Sequence, residues 1–150
     1  MTAAKIRPAL EGYLTERDGK PHLLGSRCTA CGTYYFPRLD SFCRNPACDS
    51  TDFEEVPLSR SGRLWSYTNA AYQPPAPYIP VKDPYEPFAI AAVELEREGM
   101  IVLGQCAEGI AVEDLRVGTP MELIVEPLFS DDEGDAIIWK WKPQTAGADA

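Results

Sequence analysis

Cys28-Thr29-Ala30-Cys31-Gly32 and, after ten intervening residues, Cys43-Arg44-Asn45-Pro46-Ala47-Cys48 are the stretch on which the reading of this chain turns. A Cys-x2-Cys turn lets two sulfurs converge on one ion, and a glycine just past it, here Gly32, accepts the tight backbone. The second pair is spaced x4, within the range metal knuckles tolerate, and Pro46 stiffens it so that both thiols can point inward. Four thiolates would close a tetrahedron around one Zn2+ and leave no position for water, so such a metal holds a fold and does no chemistry. The pattern predicts a zinc ribbon with Cys28, Cys31, Cys43 and Cys48 as ligands. The alternatives are two disulfides or free thiols; Met1 to Arg7 lacks the apolar core of a signal peptide, which argues against an oxidising compartment.

At 150 residues the chain can bury one core and add a small unit stapled by metal, as units below about 40 residues usually require. No uncharged apolar run approaches the roughly 18 residues of a membrane helix, so the chain is expected in the cytoplasm and off the membrane. Its net charge of −9 is unevenly placed: residues 1–61 hold eight Lys+Arg and eight Asp+Glu, whereas residues 62–150 hold six and fifteen. A nucleic-acid binder needs a basic surface to displace counterions from phosphate, and the acidic C-terminal part would repel a polyanion. This weakens a nucleic-acid-binding function, which both ribbons and OB folds otherwise allow. Iron in the same thiolate cage, as in an electron carrier, is a further possibility, because sulfur ligation alone does not choose between iron and zinc.

Outward from the cysteines, Pro8 to Arg17 reads as a short helix, with Ala9, Leu10, Tyr13 and Leu14 as its apolar stripe and Asp18-Gly19 as its stop. His22 to Arg27 enters the first knuckle as a strand, and Thr33 to Arg38 is an aromatic arm between the cysteine pairs. After a bridge from Glu54 to Ser61, strand periodicity takes over in five segments: 62–72, 88–96, 100–106, 121–129 and 136–142. Alternation is plain in the last, where Ile137, Trp139 and Trp141 oppose Ala136, Ile138 and Lys140. The long connection from Ala107 to Pro120, between the third and fourth segments, is where a five-stranded OB-type barrel usually carries one. The expected organisation is an N-terminal helical arm at 1–22, a rubredoxin-like zinc ribbon at 23–56, an OB-fold barrel at 57–143 and a disordered tail at 144–150. Gln73 to Pro87 holds six of the fourteen prolines with Tyr78 and Tyr85, and reads as a stiff arm between the first two barrel strands.

The knuckle Cys28-Thr-Ala-Cys31-Gly32, the arm Tyr35-Phe36-Pro37-Arg38, the second cysteine pair and the barrel opening at Gly62 together resemble the zinc-ribbon/OB-fold acyl-CoA-associated proteins. The resemblance runs from about Pro8 to Pro143. Pro87 to Leu95 and Trp139-Lys-Trp-Lys-Pro143 are similar to the thiolase-associated branch of that family; the x4 second knuckle departs from the x2 of many members. The resemblance implies a small non-catalytic subunit in a hetero-oligomer with a thiolase-like catalytic subunit, or with a lipid-transfer-type aldolase or hot-dog hydratase. It also implies structural Zn2+ and a CoA thioester as substrate of the complex.

No catalytic constellation is legible. Thiolase chemistry needs an activated cysteine and a base, yet the spare cysteine, Cys106, ends a strand, and the single histidine is His22. Asp131-Asp132 and Glu113-Asp114 read as solvated turn acids. Candidate contacts to the partner or to CoA are Tyr34, Tyr35, Phe36 and Arg38 on the ribbon arm and Tyr78 and Tyr85 on the proline arm. Each also has a plain reading: the aromatics packing the ribbon onto its own barrel, Arg38 in a surface ion pair, the proline arm as a mere crossover.

Overall fold

The computed structural model describes residues 6–78, 80 and 84–144 and is almost entirely β. Its strands are β1 (Ile6–Pro8), β2 (Leu14–Arg17), β3 (Lys20–Cys28), β4 (Tyr34–Tyr35), β5 (Phe53–Pro57), β6 (Ser61–Asn69), β7 (Ala89–Leu95), β8 (Met100–Cys106), β9 (Pro120–Asp131) and β10 (Gly134–Pro143). A single 3-10 turn, Val112–Asp114, is the only helical element among the described residues, so none there is long and apolar enough to cross a membrane.

The last five strands form a closed barrel. β6, β7 and β8 run as an antiparallel meander, β9 pairs antiparallel with both β6 and β10, and a short parallel pairing of Lys140 and Trp141 with Gln105 and Cys106 joins β10 to β8. This is the circuit of an OB barrel, in which full closure leaves few free edges. The buried face carries Leu64, Val93, Leu95, Val102, Met121, Leu123 and Trp141, alternating along each strand as a half-buried sheet requires. Gly104 is obligatory there, because a Cβ on it would lie 2.8 Å from Trp141 and 2.9 Å from Trp139.

The helix expected over Pro8 to Arg17 is absent. Leu14 to Arg17 instead pairs antiparallel with Lys20 to Leu23, around a turn whose Asp18 and Gly19 take φ of 54° and 76°. Gly12 at φ 83° interrupts any helix further. The apolar spacing is real but serves two surfaces: Leu14 packs on the core while Leu10 stays 44% exposed. The bridge expected at Glu54 is also strand, since Phe53 to Pro57 pairs with Leu24 to Cys28. The expected tail at Thr145 to Ala150 lies outside the described residues, as do Ile79 and Val81 to Asp83 of the proline arm.

Ribbon and barrel meet at Leu58 to Arg60. Leu58 is 1% exposed and its amide donates to the Leu23 carbonyl. The Ser59 amide and hydroxyl both donate to Glu98, and Arg60 donates to the carbonyls of Pro21 and Leu123. Leu58 is bonded to β3, Ser59 to the turn after β7, and Arg60 to both Pro21 and β9, so the connecting residues are held on both sides.

Candidate metal centre

The first knuckle begins on the last residue of β3. The Cys28 amide bonds Thr33 O and the Gly32 amide bonds Cys28 O, both at 2.9 Å, with Gly32 at φ 81°, a value that glycine adopts without strain. The second knuckle is closed by Asn45, whose side chain accepts from the Ala47 amide and whose carbonyl accepts from the Cys48 amide. Thus the x4 loop is a compact Asx-type turn despite its extra length.

These two turns bring all four Sγ atoms within 4.8 Å of one another. Cys28 and Cys48 sulfurs stand 3.8 Å apart, and those of Cys31 and Cys43 3.6 Å. Zn–S bonds of about 2.3 Å in a tetrahedron place sulfurs about 3.8 Å apart, so the spacing fits one zinc ion, whereas a disulfide would need about 2.05 Å. None of the four is in a disulfide, and Cys28 and Cys43 are buried.

Their protonation is tuned unequally. The Thr33 hydroxyl and amide hold the Cys31 thiol down at about 6, and the Cys31 amide lowers Cys28. The Ser50 amide pulls Cys48 in the same direction, but burial and the three neighbouring sulfurs outweigh it and push Cys48 up to about 12. Thiols so unlike favour ionisation of some and protonation of others until a cation joins them.

Tyr35 is part of this centre. Its phenol oxygen accepts from the Arg44 amide at 3.0 Å, which leaves the phenol proton to donate to Cys43 Sγ at 3.2 Å. A donor fixed on a ligating sulfur orients that ligand as outer-shell groups do in metal sites. Tyr35 also meets Phe53 edge-on at 6.1 Å.

The other expected contact residues are dispersed. Phe36 lies edge-on to both Tyr13 and Trp139, at 5.7 and 5.4 Å, while Tyr13 stacks flat on Trp139 at 5.9 Å. That three-ring cluster packs the ribbon on the barrel. Tyr34 packs against the core and lies under the Arg27 guanidinium. Arg38 is turned onto the Gly12 carbonyl and the Glu55 carboxylate, at 3.1 and 2.6 Å. Tyr78 and Tyr85 sit on the barrel, edge-on at 6.4 Å, and the Tyr85 hydroxyl donates to Ala70 O. Cys106 is 4% exposed and burial pushes its thiol up to about 11; His22 Nδ1 lies 2.9 Å from Leu58 O. Tyr13 reads from sequence only as part of a helical stripe, and the Leu58–Arg60 joint not at all, because neither carries a motif; alternation places Trp139 and Trp141 on one face and does not separate their roles.

Residues 17–54 match the family described as ChsH2, rubredoxin-like zinc ribbon domain, and residues 55–126 that described as ChsH2, C-terminal OB-fold domain. A DUF35 domain-containing scaffold protein of Methanocaldococcus jannaschii is 33% identical over 123 residues, covering 80% of this chain and 79% of the relative. The chain belongs to the ChsH2 family of zinc-ribbon/OB-fold proteins. Family similarity extends to the benzoylsuccinyl-CoA thiolase subunit BbsA of Geobacter metallireducens, 34% identical over 125 residues, with 83% of this chain and 76% of that subunit covered. A solved chain described as Ltp2-ChsH2(DUF35) aldolase superposes with a TM-score of 0.60 at 30% identity, over 81% of this chain and 84% of its own.

Proposed function

We propose that this chain is a zinc-holding, non-catalytic subunit of a thiolase-like complex that cleaves or forms C–C bonds of acyl-CoA thioesters. The observation that carries the reading is the similarity to BbsA, which runs through ribbon and barrel alike rather than through one module. Zinc, held by Cys28, Cys31, Cys43 and Cys48, is structural in this reading, since four protein sulfurs leave no coordination position for substrate. The chain's own chemistry agrees: a buried thiol at about 11 and a histidine hydrogen-bonded to a linker carbonyl offer no activated nucleophile and base. Cations for the CoA phosphates then come from the ribbon half or from the partner, because the barrel half is acidic.

Purification of the native complex, with mass spectrometry of the companion chain, tests this. A thiolase-like companion is expected, with 3-oxoacyl-CoA turnover in the complex and none in the isolated chain. Full activity of the isolated chain, or the absence of any companion, would refute it. A lipid-transfer-type aldolase is the second reading, favoured by the Ltp2-ChsH2(DUF35) similarity. Retro-aldol cleavage of a 3-hydroxyacyl-CoA, in place of thiolysis, would select it; hydration of an enoyl-CoA would select a hydratase partner.

A further inference from the structure

One end of the barrel holds a cavity of about 470 Å3, within the range typical of small-molecule sites. One wall is an aromatic ladder: Tyr78 meets Tyr85, and Tyr85 meets Phe88, each edge-on at 6.4 Å. The facing wall is the connection after β8, with Ile110 and Val112, and the buried Cys106 lines the cavity with them. Both walls are fixed. The Tyr85 hydroxyl donates to Ala70 O at 2.7 Å, pinning the aromatic ladder to the end of β6. On the other side the Glu108 amide donates to Glu126, which also pairs with Lys140 at 3.3 Å, and the Ala107 amide donates to Trp141 O.

The chemistry of this cavity is selective. Its lysine is already matched by a carboxylate, and Cys106, its thiol pushed up by burial to about 11, is neutral at physiological pH and presents an apolar surface. The surrounding half of the chain, residues 62–150, holds fifteen acidic and six basic residues, a field that repels a polyphosphorylated group. Glu86, Glu108 and Glu113 line the cavity too and add to that field, so a nucleotide is repelled, while an uncharged ring fits against the aromatic wall.

We propose that this cavity receives the acyl end of a thioester, an uncharged aromatic or alicyclic group, with the nucleotide of CoA held outside. This rests on the acyl-CoA reading above and adds to it a site on this subunit. Because the walls are built before a ligand arrives, little ordering opposes binding.

The test uses the full-length, zinc-loaded chain and S-benzoyl-N-acetylcysteamine, a thioester without the nucleotide, followed by amide NMR. Saturable shifts centred on Ala89, Cys106 and Ile110 are expected, and free CoA should not compete. Ala111 is exposed at the cavity edge, so Ala111→Trp should keep the fold and zinc content yet weaken binding about tenfold or more. Absence of saturable shifts, shifts centred elsewhere, equal binding by the variant, or competition by free CoA would each overturn the proposal. Co-purification of the catalytic companion, scored in the same preparations, separates the two ideas: a companion without probe binding removes only the cavity, and no companion removes the accessory-subunit reading.

Discussion

At the scale of single residues, the cysteines differ in what their loss should do. Cys43→Ser removes a ligand from a closed set of four and should abolish stoichiometric zinc in elemental analysis, along with ribbon amide dispersion in NMR. Such sites contribute about 10–16 kcal/mol to folding in small zinc peptides. Cys106→Ala, in contrast, should retain full zinc and cost about 1–2 kcal/mol in urea denaturation, the range of a small cavity. The thiols also predict a proton count. Without zinc the ribbon is unfolded and its thiols return to the ordinary value of 9.0, so they are mostly protonated at pH 7.5. Zinc binding should therefore release close to four protons, and acid should reverse it. The sign follows from Cys31: its folded value is below the ordinary thiol value of 9.0, so the thiolate's contribution is full above that value and lost as pH falls through about 6. Calorimetry of zinc binding in buffers of different ionisation enthalpy measures the count; release of only two or three would show that the ribbon is already folded without zinc, with Cys31 held down by Thr33. Tyr35→Phe should leave zinc bound but speed its removal by a chelator, since one donor on Cys43 is gone.

At the scale of elements, the barrel was legible and the entry to the ribbon was not. Alternation along β8 and β10 follows from the pleat, and those strands are found at Met100–Cys106 and Gly134–Pro143 close to where their apolar residues place them. The first twenty residues misled because Ala9, Leu10, Tyr13 and Leu14 satisfy a helical spacing, while Asp18-Gly19, a strong hairpin signal, was read as a helix stop. Glu54 and Glu55 hid β5 for a different reason: an edge strand of a small ribbon exposes its charges on a face that barrel strands would bury. The knuckles were legible since metal geometry fixes ligand spacing, but the clamp of Tyr13, Phe36 and Trp139 depends on tertiary approach that no local pattern encodes. That clamp makes a prediction. Trp139→Ala removes the ring on which Tyr13 and Phe36 both pack, and its Nε1 donation to Leu103 O. With the indole half-buried, the loss should be about 2–4 kcal/mol, and thermal unfolding should separate into ribbon and barrel steps where the unmodified chain melts in one. A single transition, shifted only in temperature, would mean that the Leu58–Arg60 joint couples the lobes alone.

On the scale of the whole molecule, the metal, the joint and the barrel form one chain of support. The zinc knuckles fix β3 and the aromatic arm; β3 receives the Leu58 amide at Leu23; Arg60 then bonds both Pro21 and the barrel strand β9. A rigid two-lobed body is what an accessory subunit needs, because docking loses less entropy when the surface is preformed. The dependence runs one way. Removing zinc takes away the ribbon's only staple, since its own apolar content is too small to fold a unit of this size alone. The barrel keeps its closed circuit of strands and the core around Trp141. Chelation of the purified complex should therefore release this subunit from its companion while the freed chain retains most of its far-ultraviolet β signal, and readdition of zinc should restore both assembly and turnover. Size-exclusion chromatography with and without chelator reads the assembly; circular dichroism of the released chain reads the barrel. If the complex survived complete zinc removal with its activity intact, docking would belong to the barrel alone, and the ribbon would have to be explained by something other than attachment.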